Sequence, residues 1–204
     1  VNVGGGAGMS TYEFKGGTGT SSRRVTIDGG SYTVAALVQS NFGSRREFTV
    51  CGVPVGEHIQ DNALLSGLGL PEQGSIVVII GTDAPLTPSQ LRRLAKRGTL
   101  GIGRTGTSGG HYSGDLMLAF SVANPVEFPA LDAAQPRLHE MTWLHDAHCD
   151  AIYGPAVDAV EEAILNALMA AESVPTYKPH GHVLEAIDQD RLLEVMRRYR
   201  RLRV

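Results

Sequence analysis

The chain has 204 residues, 42% of them hydrophobic, and a formal net charge of −3. That is enough to build one domain with a sizeable core, and the weak acidic balance excludes a broad attraction to nucleic acid or to an anionic membrane surface. The longest wholly aliphatic run, Ile76 to Ile80, is far too short to span a bilayer.

Val1-Asn2-Val3 followed by Gly4-Gly5-Gly6 reads as the end of an element begun earlier, so an upstream region is expected. Residues 4 to 22 read as a Gly/Ser/Thr-rich loop. The third glycine of a dinucleotide fingerprint is missing after Gly4-Gly5-Gly6-Ala7-Gly8-Met9, and no Gly-Lys-Ser/Thr phosphate loop occurs anywhere, so a nucleotide cofactor is not expected. Arg24 to Ile27 and Tyr32 to Gln39 read as two strands of a hairpin joined through Asp28-Gly29-Gly30-Ser31. Asn41 follows, at a strand end before Gly43. It suits a turn, and its neutral amide also suits donation to an oxyanion. Glu47 to Val55 reads as a further strand and residues 56 to 74 as a linker.

Gly74-Ser75-Ile76-Val77-Val78-Ile79-Ile80-Gly81 places a glycine and a serine at the mouth of a short β-branched run, the pattern of a buried strand. The plain reading of Gly-Ser is a turn before that strand. A chemical reading is also open. Gly74 tolerates a bent peptide bond, and a serine hydroxyl beside such a bond can attack the preceding carbonyl. Hydrolysis of the resulting ester leaves Ser75 as a new N-terminus, whose amine can accept its own hydroxyl's proton.

Thr87-Pro88-Ser89-Gln90 has the form of a capping box with proline at the first helical position, and predicts a helix to about Arg97, stopped by Gly98. Residues 98 to 114 read as a glycine-rich loop, Leu116 to Ala123 as a strand. Ser113 and Asp115, two apart at the strand's start, share a face on an extended backbone and suit capping or the binding of an ammonium group. Residues 124 to 137 read as a connector. His139 to Ala171 reads as helix interrupted at Gly154-Pro155, with Val157, Val160, Ala163, Ile164, Ala167 and Leu168 on its apolar face. His145 and Cys149 are four apart, but without a matching ligand pair no metal site is expected. A loop over 173 to 187 and a helix from about Asp188 to Arg201 close the chain. The two widely separated cysteines, Cys51 and Cys149, fit reduced thiols in a cytoplasmic protein.

Gly74-Ser75-Ile76-Val77-Val78-Ile79-Ile80-Gly81-Thr82-Asp83-Ala84-Pro85-Leu86, with Gln90 to Arg97 and Gly101-Ile102-Gly103-Arg104-Thr105-Gly106, resembles the P1 family of self-processing peptidases, the L-aminopeptidase/D-esterases and β-peptidyl aminopeptidases. Ser113-Gly114-Asp115 with Ala119-Phe120-Ser121, the helix Glu161 to Leu168, and upstream Gly8-Met9, Tyr12 to Gly17 and Gly19 to Arg23 are similar to the same family.

The resemblance implies a four-layer α/β/β/α sandwich, like the N-terminal-nucleophile hydrolases but differently connected. It implies a precursor cut between Gly74 and Ser75, with Ser75 as nucleophile, Asn41 binding the oxyanion, and Ser113 and Asp115 completing the site. Some members carry glutamate at the acid position. Residues 1–204 are then one catalytic domain lacking an upstream region that supplies further strands, helices and a site tyrosine; 1–74 end the first subunit and 75–204 form the second. The expected activity is release of N-terminal residues from short peptides, amides or esters through an acyl-enzyme, with Asp115 on the substrate ammonium and no cofactor or metal. Processed pairs are expected to form a homo-oligomer without nucleic-acid or membrane partners. An acyltransferase of similar fold and a non-catalytic scaffold are the alternatives.

Overall fold

The computed structural model describes residues 2–126 and 138–202. In chain order the elements are β1 (Ser10–Thr11), β2 (Phe14–Lys15), β3 (Gly17–Ile27), β4 (Gly30–Asn41), α1 (Val55–His58), α2 (Leu64–Gly67), β5 (Ser75–Thr82), α3 (Pro88–Ala95), α4 (Gly98–Arg104), β6 (Leu116–Ser121), α5 (Asp150–Met169), β7 (Val174–Pro175), β8 (Val183–Leu184) and α6 (Gln189–Arg198). The main sheet has the order β3-β4-β5-β6. β3, β4 and β5 run antiparallel to their neighbours, while β6 is parallel to β5 and is reached by a crossover through α3 and α4.

The β5 run alternates faces as a strand must. Ile76, Val78 and Ile80 are fully buried, in register with Ser40, Val38 and Ala36 of β4. They face the helix layer, where α5 packs along β3 and β4. The opposite face carries Leu37, Val77, Ile79, Leu116, Leu118 and Phe120. There Leu116, Leu118 and Phe120 keep 65%, 57% and 45% of their surface open, so this apolar face has no covering layer within the described residues. An apolar sheet face of this kind is the one a second sheet covers in a sheet-on-sheet sandwich.

Several local expectations change. β3 begins at Gly17, inside the expected glycine-rich loop, because its glycines serve packing. A Cβ on Gly19 would lie 2.0 Å from the Ala163 carbonyl oxygen of α5. The strand expected over 47 to 55 is instead a reversal. Cys51 and Gly52 have φ of 50° and 77°, and Val50 and Val53 exchange backbone bonds of 3.0 and 2.9 Å. The apolar alternation there is real, since Phe48, Val50, Val53 and Val55 are all buried, but the chain doubles back in its middle.

Residues 98 to 104, expected as loop, form α4. A Cβ on Gly101 would lie 2.7 Å from Val160 Cβ and 2.8 Å from the Val157 carbonyl oxygen, so the missing side chain lets α4 lie against α5. Helix α5 starts only at Asp150 and runs through Pro155 without a break. The proline falls in the second turn, where the bond it forfeits is to the Ala151 carbonyl. Of the expected connector over 124 to 137, residues 127–137 lie outside the described residues. The capping box stands as read, with Thr87 Oγ1 accepting from Gln90 N and Gln90 Oε1 accepting from Thr87 N.

Two buried cations fasten the segments before β3 and after β4. Lys15 donates to the Gly6, Met9 and Gly16 carbonyls at 2.8, 3.2 and 2.6 Å, and burial lowers its pKa. Arg45 donates to the Tyr12, Glu13, Ile59 and Asp61 carbonyls and lies 3.4 Å over the Phe14 ring; burial pushes its guanidinium down to about 10. On the outer edge, Ser21 and Arg23 of β3 hold the Glu162 carboxylate of α5, first through the serine hydroxyl and then the guanidinium, and lower its pKa. Among the described residues no helix is long and apolar enough to cross a membrane.

Candidate active site

Ser75 is the first residue of β5, and its register partner is Asn41, the last residue of β4. The antiparallel pairing therefore sets these two side by side at one end of the sheet. On the other side of β5, Leu116 of β6 pairs with Val77, so the residues just before β6 come level with Ser75. The Gly114 N–H donates to Ser75 Oγ at 2.8 Å. Asp115 Oδ1 accepts from the Ile76 N–H at 3.0 Å and from the Ser113 hydroxyl at 2.5 Å. Ser75, Asn41, Ser113 and Asp115 are thus gathered at the head of three neighbouring strands. Ser75, Asn41 and Ser113 are half-buried and Asp115 is exposed, so the group opens to solvent.

Asn41 is oriented by its own hydrogen bond. Its Oδ1 accepts from the Ser10 N–H at 2.9 Å, which leaves the Nδ2 amide as the half that donates. Gly74, immediately upstream, does not have its φ in the left-handed region. What requires glycine is space. A Cβ there would sit 2.0 Å from the Asn41 carbonyl oxygen.

Two cavities meet at this place. One, of about 190 Å³, is lined by Phe42, Gly43, Glu72, Gly110, Ser113 and Asp115 among others. The second, of about 300 Å³, is lined by Ser10, Asn41, Leu65, Glu72 and Gly74 among others. They lie at or below the lower end of the usual range for small-ligand pockets. Glu72 is in both walls. Its Oε1 accepts from the Gly74 N–H at 2.8 Å and from the Gly43 N–H at 3.2 Å. The far wall of the first cavity is held by Tyr12, whose hydroxyl bonds Thr105 Oγ1 at 2.7 Å and accepts from the Thr107 N–H at 3.2 Å. Tyr12 stacks on Phe48 at 4.8 Å between ring centres, and burial pushes its phenol well above the usual range, so the ring is a neutral strut.

Sequence reasoning singled out the serines, the asparagine and the aspartate, but not Glu72, the Gly114 N–H or Tyr12. Glu72 fell in a stretch read as linker, and only its place two residues before Gly74 marked it. Among the described residues no group of three or more His, Cys, Asp or Glu side chains stands together as a metal site. His145 Nδ1 accepts from the Ala147 N–H at 3.2 Å, and Cys149 is buried, its thiol pushed up by burial.

A helix-backed sheet with a serine heading its central strand defines a class, and comparison with solved structures names it. The chain superimposes on the L-aminopeptidase D-Ala-esterase/amidase from Ochrobactrum anthropi, described as a prototype serine aminopeptidase and a variant of the Ntn hydrolase fold. The TM-score is 0.89 with 46% identity, over 99% of this chain and 53% of that one. A Burkholderia sp. β-aminopeptidase matches with a TM-score of 0.83 and 40% identity, over 97% of this chain and 53% of that one. The fold is therefore that Ntn hydrolase variant, of which the described residues supply one sheet and its helix layer.

The chain belongs to peptidase family S58, whose family model matches residues 2–182. A curated relative, the β-peptidyl aminopeptidase BapA of Sphingosinicella microcystinivorans, is 40% identical over 98% of this chain and 52% of its own length. The chain thus spans about half the length of the curated relatives it matches.

Proposed function

We propose that this chain is the nucleophile-bearing half of a self-processing serine aminopeptidase. What supports the reading most is one observation: Ser75 stands beside Asn41 in the β4–β5 ladder while Ser113 and Asp115 arrive at its other side from β6. In the precursor, Ser75 Oγ attacks the Gly74 carbonyl carbon. The Gly74–Ser75 C–N bond breaks, an ester to Oγ forms, and the hydroxyl proton passes to the new amine. Water then hydrolyses the ester, leaving Gly74 as a C-terminal carboxylate and Ser75 with a free hydroxyl and a free amine. Residues 1–74 end the first subunit and 75–204 form the second.

The processed enzyme repeats this chemistry on a short peptide, amide or ester with a free N-terminus. Asp115 pairs with the substrate ammonium and fixes which bond is presented. Ser75 Oγ attacks the carbonyl, and the Ser75 α-amine, with a reference pKa of about 7.7–8.0, accepts the proton near neutrality. The substrate C–N or C–O bond then breaks, the leaving amine or alcohol takes that proton and departs, and the acyl group stays on Oγ. Ser113, bonded to Asp115, positions that proton. Asn41 Nδ2 and a backbone N–H hold the oxyanion, and water releases the acyl group. The same reading carries the assembly of processed pairs into an oligomer, without nucleic-acid or membrane partners. Cys51 and Cys149, both unpaired, fit a cytoplasmic setting.

Ser75→Ala in the full-length protein tests this directly. The wild type is expected to give two pieces by intact mass, one ending at Gly74 and one beginning at Ser75. The variant is expected to stay whole and to release no N-terminal residue. A Ser75→Ala protein that hydrolyses its substrate, or a wild type that stays whole while active, overturns the reading. Partition of the acyl group between water and an added amino acid distinguishes hydrolase from acyltransferase.

A further inference from the structure

Two residues before the proposed cut, a carboxylate holds the N–H of Gly74, the residue whose carbonyl must be attacked. Glu72 Oε1 accepts from the Gly74 N–H at 2.8 Å and from the Gly43 N–H at 3.2 Å, so one oxygen ties Gly74 to the loop just beyond Asn41. Its other oxygen faces Gly110, where a Cβ would come within 2.6 Å of Oε2. On its opposite side Gly74 lies against the Asn41 carbonyl, too close for any Cβ. Gly74 is therefore held from two sides while Ser75 Oγ is fixed by the Gly114 N–H.

We infer that Glu72 is a positioning residue for self-cleavage, holding Gly74 by its N–H, one peptide unit before the scissile bond, so that its carbonyl carbon stays within reach of Ser75 Oγ. The inference rests on the self-processing reading above. The attack closes a five-membered ring through Oγ, Cβ, Cα, N and the carbonyl carbon. Such a closure is fast only when rotation about the flanking bonds has already been frozen. A carboxylate accepting two backbone N–H groups is a strong way to freeze them, since bonds to a charged acceptor are about twice as strong as neutral ones. Glu72 forms no bond to the reacting atoms and takes no proton; it acts through Gly74.

The test is the rate of chain cutting during cell-free synthesis of the full-length protein, followed by intact mass. Ser75→Ala sets the uncut baseline. Glu72→Ala is expected to slow cutting by on the order of tenfold to a hundredfold, the loss of a charge-assisted bond. Glu72→Gln, whose carbonyl oxygen can accept the same two N–H groups, is expected to recover most of the rate. Both substitutions are also made in the Ser75→Ala background and melted, where the uncut precursors are expected to unfold together with their parent. Cutting of Glu72→Ala at the wild-type rate overturns the inference and leaves the self-processing reading intact. So does an equal loss in Glu72→Gln and Glu72→Ala, or a slow rate matched by a collapsed melting temperature. A wild-type chain that is never cut overturns the self-processing reading itself.

Discussion

Asn41 has one amide and two tasks, and the structure divides them between its ends. Its oxygen is engaged by the Ser10 N–H, and in the mechanism we propose its amine end serves the developing negative charge beside Ser75. Asn41→Ala is therefore expected to lower kcat by about 10²–10³, the usual effect of removing one oxyanion donor, with a smaller change in KM. Asp115→Asn is expected to do the reverse, raising KM for substrates with a free amine more than it lowers kcat. Steady-state kinetics on the processed enzyme separates the two. At this scale, spacing alone leaves Gly74-Ser75 as a turn and Ser113 and Asp115 as capping residues, and only the family resemblance makes them site candidates. Glu72 is not among them, because its second partner is the amide of Gly43, and no periodicity links positions so far apart.

Among the elements, those with a local signature were legible and those shaped by neighbours were not. The capping box before α3 needs only four residues to specify it. The long hairpin of β3 and β4 turns at Asp28 and Gly29, whose φ values of 49° and 73° are those of a two-residue hairpin turn. Helix α4 departs from the expected loop because Gly98, Gly101 and Gly103 argue against a helix, and only α5 packed against Gly101 shows what a missing side chain there is for. This yields a pair of substitutions of opposite sign. Gly101→Ala forces a Cβ into Val160 and the Val157 carbonyl and is expected to cost about 1–3 kcal/mol, the range for overpacking. Gly103→Ala, on the exposed side of α4 with nothing near its Cβ position, is expected to add up to about 1 kcal/mol through helix propensity. Denaturant melts of the two variants beside the wild type check both signs.

For the whole molecule, the decisive feature is the sheet face away from the helices. Leu116, Leu118 and Phe120 point outward in a row, on the face shared with Ser75 and Asn41. A four-layer sandwich buries this face under a second sheet. In the full-length protein, Leu118→Lys is then expected to lower stability by about 2–4 kcal/mol, as a charge placed in a core does. An unchanged melting temperature for that variant would show the face to be wet. The fold class was legible from the resemblance, but the extent of this face was not. The run from Leu116 to Phe120 is apolar throughout, and only pairing with β5 tells which side chains meet the helices.

The β4–β5 ladder has one more consequence. On the proposed self-processing, scission at Gly74–Ser75 would sever the chain without severing the sheet, because Asn41 to Val34 on one fragment would remain paired with Ser75 to Thr82 on the other. Helix α5, borne by the second fragment, would also stay seated on β3 and β4 of the first. A molecule nicked there would be a split protein held together by the sheet, so a fragment made to begin at Ser75 and refolded with its partner is expected to rebuild the site without passing through the uncut state.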